Sequence, residues 1–147
     1  MNNTLVPVAE FSELSLNAAQ YAVEFAKRSS SKPIFLFFSR NECANDDRIR
    51  TDCHPTNERE SEVKEKIEFL IERSALMDGL AIERHTCSGE YIEKVCEFVR
   101  DLNITQIVIA IPDEQDELYA KIMQDISLLI QMTPCRVLTV KEKDKGD

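Results

Sequence analysis

The chain has 147 residues, a length that suits one domain with a core large enough to need neither disulfides nor a structural metal. Its 27 Asp and Glu against 18 Lys and Arg leave a formal charge of −9, and a field of that sign repels phosphate backbones, so neither nucleic acid nor an anionic membrane is an expected partner. The longest apolar runs are about five residues, too short to span a bilayer, and Met1-Asn2-Asn3-Thr4 opens without the charged and apolar regions of an export signal.

The five cysteines are dispersed and odd in number, as in a reduced cytoplasmic protein rather than a disulfide framework. The expectation is therefore a cytoplasmic chain with a single domain over 1–147 and no cofactor.

Thr4-Leu5-Val6-Pro7-Val8 is short and β-branched, a first strand. Its proline has no N–H for a ladder and belongs near the strand end or at a break in pairing. Ser12 is suited to cap a helix running to about Lys27, with Leu14, Ala18, Tyr21, Ala22 and Phe25 on its apolar face. Ile34-Phe35-Leu36-Phe37-Phe38 has no alternation, which fits a strand covered on both faces. Residues 39–57 are polar and aperiodic, a long and mobile loop.

Asn57 and Glu60 resemble a capping pair for a second helix, whose buried face is Val63, Ile67, Leu70, Ile71 and Ser74 and whose end is Gly79. Leu80 to Thr86 reads as the third strand. Ser88 then caps a helix that buries Ile92, Val95, Cys96 and Val99. Gln106 to Ile111 is the fourth strand. Glu117 to Met132 forms a helix on Leu118, Ile122, Ile126, Leu129 and Ile130, Thr133-Pro134 ends it, and Arg136 to Val140 is the fifth strand. Residues 141–147 look like a frayed tail.

Strands alternating with helices imply right-handed crossovers and a five-stranded, parallel, doubly wound α/β sheet with helices on both faces. Ligands of such folds gather beyond the carboxyl ends of the strands, here Ala9 to Ser12, Ser39 to Cys43, Cys87 to Gly89 and Ile111 to Glu117.

The ordered set Leu5-Val6-Pro7-Val8, Asn17-Ala18-Ala19-Gln20-Tyr21-Ala22, Gly89 to Val99, Ile107-Val108 and Thr133-Pro134-Cys135-Arg136-Val137-Leu138-Thr139-Val140 resembles the universal stress protein family. That resemblance implies the adenine nucleotide alpha hydrolase-like fold. It also implies a homodimer in which the last strands pair across a two-fold axis, here through Val137, Leu138, Thr139 and Val140. Nucleotide-binding members of the family carry a Gly-x-x-Gly stretch after the fourth strand, then nine residues and a Gly followed by Ser or Thr. Those positions fall on Ala110, Asp113, Met123 and Gln124, and the acidic residue that follows the first strand falls on Ala9. The expected helix start carries Asp113, Glu114, Asp116 and Glu117 instead, acids suited to occupy the positive helix end themselves. A carboxylate about 5 Å from one phosphate charge costs roughly 3 kcal/mol at an effective dielectric near 20, about two decades of affinity.

Thiols and imidazoles give no diagnostic spacing. Cys43, Cys53 and His54 share the long loop, and His85 and Cys87 lie two apart on one side of the third strand. Zinc needs about four converging ligands, so these are weak metal candidates, and an activated Cys87 thiolate lacks an orienting third group. Cys96 and Cys135 read as core packing. A receiver domain shares the fold class, but Glu10 alone follows the first strand and Thr86-Cys87 stands where a phosphorylated Asp belongs. The expected function is a non-enzymatic stress-response or regulatory module, a homodimer acting through contacts with an unknown protein partner. A small-molecule or nucleotide-binding domain with an altered cleft is the alternative, and a thiol- or metal-sensing module the second.

Overall fold

The structure, a computed structural model, describes residues 2–39 and 58–141. Most of the expected loop, with Cys43, Cys53, His54 and Asn57, and the tail beyond Lys141 lie outside the described residues.

Among the described residues nine elements alternate: β1 (Asn2–Val8), α1 (Glu13–Ser29), β2 (Ser31–Phe38), α2 (Glu58–Met77), β3 (Glu83–Cys87), α3 (Tyr91–Asp101), β4 (Gln106–Ile111), α4 (Tyr119–Met132) and β5 (Arg136–Lys141). The strands form one parallel sheet in the order β3-β2-β1-β4-β5. This is the doubly wound α/β class expected from the alternation. Phe35 and Phe37 point to one face with Ala18, Ala22, Val63 and Ile67 of α1 and α2. Ile34, Leu36 and Phe38 point to the other with Val95, Val99 and Leu129 of α3 and α4. The unbroken apolar run of β2 thus feeds both layers, each full burial contributing about 1.5–3 kcal/mol.

The two prolines of the central strands mark where pairing stops. Thr105 donates its N–H to the Asn3 carbonyl, so by alternation residues 3, 5 and 7 of β1 turn their backbone groups toward β4. Pro7 has no N–H to offer there, and β1 pairs with β4 only at Thr4 and Leu5. In β2, Ser39 donates to the Cys87 carbonyl, which turns residue 33 toward β3. Pro33 has no N–H for that ladder, and pairing with β3 begins one residue later, at Ile34 opposite Glu83. The third strand therefore starts at Glu83, not at Leu80; Leu80 and Ile82 pack on the core without joining the sheet.

Other boundaries shift for local reasons. Ser12 caps α1 as expected, its Oγ accepting from the Ser15 N–H at 3.3 Å. The face that α1 buries is nevertheless Leu16, Ala18, Ala19, Ala22, Val23 and Ala26, because small residues let the helix lie close on the sheet. Tyr21 and Phe25 stack on each other at its flank, with centroids 6.0 Å apart. In α2 the expected face holds, with Val63, Ile67, Ile71 and Ser74 buried, and Gly79 ends it at φ +68°. In α4, Ile126 and Leu129 are buried whereas Ile130 faces solvent.

α3 is capped by Glu90, not by Ser88. Its carboxylate accepts from the N–H groups of Ile92 and Glu93, both at 3.0 Å, and these bonds hold its pKa below the ordinary 4.5. A depressed folded-state pKa contributes stability above the unfolded value that is lost as pH falls through the folded one. In thermal melts between about pH 6 and pH 3, the advantage of the native chain over Glu90→Gln is expected to be full at the upper end and to shrink with acidification. A difference that does not vary with pH would remove the charge from this cap.

Candidate functional site: a cleft where the first and fourth strands part

Because β1 and β4 separate after Leu5, a cleft of about 270 Å³ opens at their carboxyl ends, at the point where the strand order reverses. Pro7, Ala9, Val108, Ile109 and Ala110 form its floor. Glu10, Ser12, Leu14, Ser15 and Ala18 bring the start of α1 to one side. Leu118, Lys121, Ile122 and Asp125 bring the α4 region to the other, and Tyr91 enters from the first residue of α3.

The polar groups differ in how they are engaged. The Ser15 hydroxyl donates to the Glu10 carbonyl, and Ser12 is spent on capping. Lys121 Nζ holds both oxygens of Asp125 at 3.0 and 3.1 Å, an i,i+4 pair whose carboxylate is 16% exposed and whose ammonium stem is 65% exposed. The Tyr91 ring stacks on Phe38 with centroids 5.3 Å apart. Its hydroxyl makes no hydrogen bond among the described residues, and burial first, then the neighbouring Asp125 charge, push its pKa well above the ordinary 10.

The acids after β4 do not begin the helix, as the sequence suggested, but precede it in a turn of their own. Asp113 accepts from the Gln115 N–H at 2.9 Å and Asp116 from the Leu118 N–H at 2.8 Å. α4 starts only at Tyr119, and Leu118 before it contributes no side-chain cap. Asp and Asn side chains bond the backbone two residues on more readily than they continue a helix, which is what delays it. Of the positions where the family's nucleotide motif falls, Ala9 and Ala110 line the cleft. Asp113 lies in the exposed turn, and Met123 and Gln124 lie on the outer side of α4 away from the lining.

His85 and Cys87 do share one side of β3, as expected, yet they do not form a reactive pair. His85 Nε2 lies 3.2 Å from Glu83, whose other oxygen is engaged by Lys32, and the ring rests on Phe98 with centroids 5.6 Å apart. Lys32 first and His85 second hold the Glu83 carboxyl below its usual range, whereas burial pushes the Cys87 thiol up, away from thiolate. No cluster of three His, Cys, Asp or Glu with metal-holding geometry occurs among the described residues. Cys135 is buried, its Sγ bonded to the Ile104 carbonyl at 3.2 Å, and Cys96 packs beside the same cluster.

At the far edge, β5 pairs with β4 along its length and, among the described residues, with nothing on its outer side. Arg136 donates inward to the Thr105 carbonyl, so Val137, Thr139 and Lys141 turn their backbone groups outward. The four residues expected at a dimer interface therefore include two, Val137 and Thr139, with edge hydrogen bonds to give.

Sequence reasoning did not single out Tyr91, Lys121 or Asp125. The Lys121–Asp125 spacing of four was a readable signal for a helix pair; the convergence of Tyr91 on it was not, since it depends on where α3 enters the sheet.

A parallel α/β sheet with a cleft at its reversal point is the architecture of small-ligand and mononucleotide binders. A sequence profile of the Universal stress protein family matches residues 1–141, and the chain belongs to that family. No curated protein matches the chain. Among solved structures it is similar to a universal stress protein from Archaeoglobus fulgidus, with 15% identity over 96% of this chain and 94% of that one and a TM-score of 0.64. It is likewise similar to a universal stress protein family protein from Arabidopsis thaliana with AMP bound, with 15% identity, 99% and 95% coverage and a TM-score of 0.62. A universal stress protein in complex with cAMP aligns at 14% identity over 97% and 98%, also with a TM-score of 0.62. At such identities these likenesses concern the fold.

Proposed function

We propose that this universal stress protein is a non-enzymatic, cytoplasmic regulatory module that acts as a homodimer through protein contacts and does not hold ATP in the pose of the family's nucleotide-binding members. The observation that carries this reading is the turn after β4. Two of its carboxylates lie on the backbone N–H groups of Gln115 and Leu118, and Glu114 and Glu117 stand exposed beside them. A phosphate entering here meets negative charge where a glycine turn would offer bare N–H groups. One universal stress protein has been solved in complex with cAMP and another with AMP bound; the acidic turn of this chain is the feature that supports a different outcome here. Titration calorimetry with ATP, with and without Mg²⁺, is expected to give no binding tighter than about 1 mM, and micromolar binding in either condition would defeat the reading.

The dimer has its own test. An exposed β-branched edge strand is a surface that folded proteins rarely leave unpaired. Light scattering coupled to size-exclusion chromatography is expected to give twice the chain mass for the native protein and the single-chain mass for Thr139→Pro, which removes an outward N–H and leaves the β4 ladder intact. A native protein that is monomeric throughout the accessible concentration range overturns the assembly.

The cleft itself favours a second reading, a small-molecule site with a changed ligand. Its volume lies just under the roughly 300 Å³ at which pockets for drug-sized molecules begin.

A further inference from the structure

Three properties of the cleft between β1 and β4 restrict what it can hold. Its wall is mainly apolar, with Leu14, Val108, Ala110 and Ile122 supplying surface that rewards a hydrocarbon body. Its volume of about 270 Å³ has room for one ring with a short tail. Its charge balance is negative. Glu10 and Asp125 line it, and the segment that joins two of its walls adds Asp113, Glu114, Asp116 and Glu117. Lys121 is the cation of the lining, and its ammonium group is already held by Asp125.

Low-dielectric walls concentrate such a field inside a concave site, so the sign of the ligand matters more here than on an open surface. The Tyr91 hydroxyl supplies the directional contact. Its ring is fixed against Phe38, it reaches the lining, and it spends neither its proton nor its lone pairs on any described residue.

We infer that the cleft binds a small organic cation, an amine on a single-ring or similarly sized apolar body, with the ammonium group drawn to the Glu10 and Asp125 carboxylates and the Tyr91 hydroxyl hydrogen-bonded to the guest. This rests on the reading above that the negative turn excludes phosphate, and it goes further by naming what the same charge attracts. The Lys121–Asp125 pair fits such a guest: an incoming ammonium shares Asp125, and Lys121, mostly exposed, swings to solvent at little cost.

Tyramine and 4-hydroxyphenylacetate share a ring and differ in the sign of the tail, so they isolate the claim. Titrated into isotope-labelled full-length protein and followed by amide chemical shifts, tyramine is expected to move Ser15, Ala110 and Lys121 saturably and to bind at least about tenfold more tightly than the acid. Glu10→Gln alters an exposed side chain and is expected to narrow that preference about threefold or more, while Tyr91→Phe weakens both probes without changing their ratio. Equal affinity for the two probes, tighter binding of the acid, or shifts confined to other surfaces would overturn the inference. Silence of tyramine together with silence of ATP defeats the cation site alone; binding of ATP with silence of tyramine defeats both readings.

Discussion

Phe35→Ala is expected to lower the stability of the chain by about 3–5 kcal/mol, a large share of the roughly 5–15 kcal/mol that holds a domain of this kind together. Phe35 is fully buried in the central part of the sheet, with Phe37 stacked on it at a centroid distance of 6.2 Å and the α1 and α2 faces above it. Its neighbours belong to opposed rigid layers, so they cannot collapse into the space that a missing ring leaves, and the cavity term adds to the lost transfer energy. Phe69 is the matched control, since it is 64% exposed on α2 and its replacement by alanine should move stability by less than about 0.5 kcal/mol. Urea denaturation followed by circular dichroism reads both, and a Phe35→Ala loss comparable to that of Phe69→Ala would mean that the two-layer core does not bear on this residue.

The contrast between these two phenylalanines also shows where sequence reasoning has purchase. Phe35 sits in an apolar run without alternation, and such a run has one structural meaning, a strand covered on both sides. Helix positions carry less information. Spacing puts Tyr21 and Phe25 on the apolar face of α1, yet they lose the sheet side to the smaller Ala19, Val23 and Ala26, because how closely a helix approaches a sheet is decided by the partner surface. Caps are ambiguous in the same way: Ser88 has the preferred chemistry, but Gly89 takes φ +135° and carries the chain past it, leaving Glu90 at the helix start.

Pro7 is legible in the sequence as a break in pairing and Pro33 is not singled out there, and what each one interrupts depends on which neighbour it faces. That is fixed only once the strand order is known. For the same reason the cleft could be placed at the strand ends from sequence, while its Tyr91–Asp125–Lys121 side could not. Those residues lie on two helices whose approach, not their spacing, brings them together.

Neutralising the acidic turn is expected to have the largest effect on nucleotide affinity. The variant Asp113→Asn, Glu114→Gln, Asp116→Asn, Glu117→Gln keeps side-chain oxygens that can accept from the Gln115 and Leu118 N–H groups, so the turn retains its hydrogen bonds and loses only its charge. One carboxylate about 5 Å from a phosphate costs roughly 3 kcal/mol at an effective dielectric near 20, and charges beyond the screening length of about 8 Å add little at physiological salt. The neutral turn is therefore expected to bind AMP about two decades more tightly than the native chain. Salt separates charge from shape. If repulsion is the obstacle, raising ionic strength screens it, so native affinity for AMP rises with salt while the neutral variant stays level or weakens.

Adding Asp113→Gly in place of Asp113→Asn tests the remaining factor, the backbone approach that a residue without a Cβ allows a phosphate. A further gain from glycine alone assigns part of the barrier to the backbone. No gain from either change, measured calorimetrically at low and high salt, would overturn the proposal that the turn opposes nucleotide and leave the cleft walls, among Ala9, Ala110 and Tyr91, as the remaining place to test.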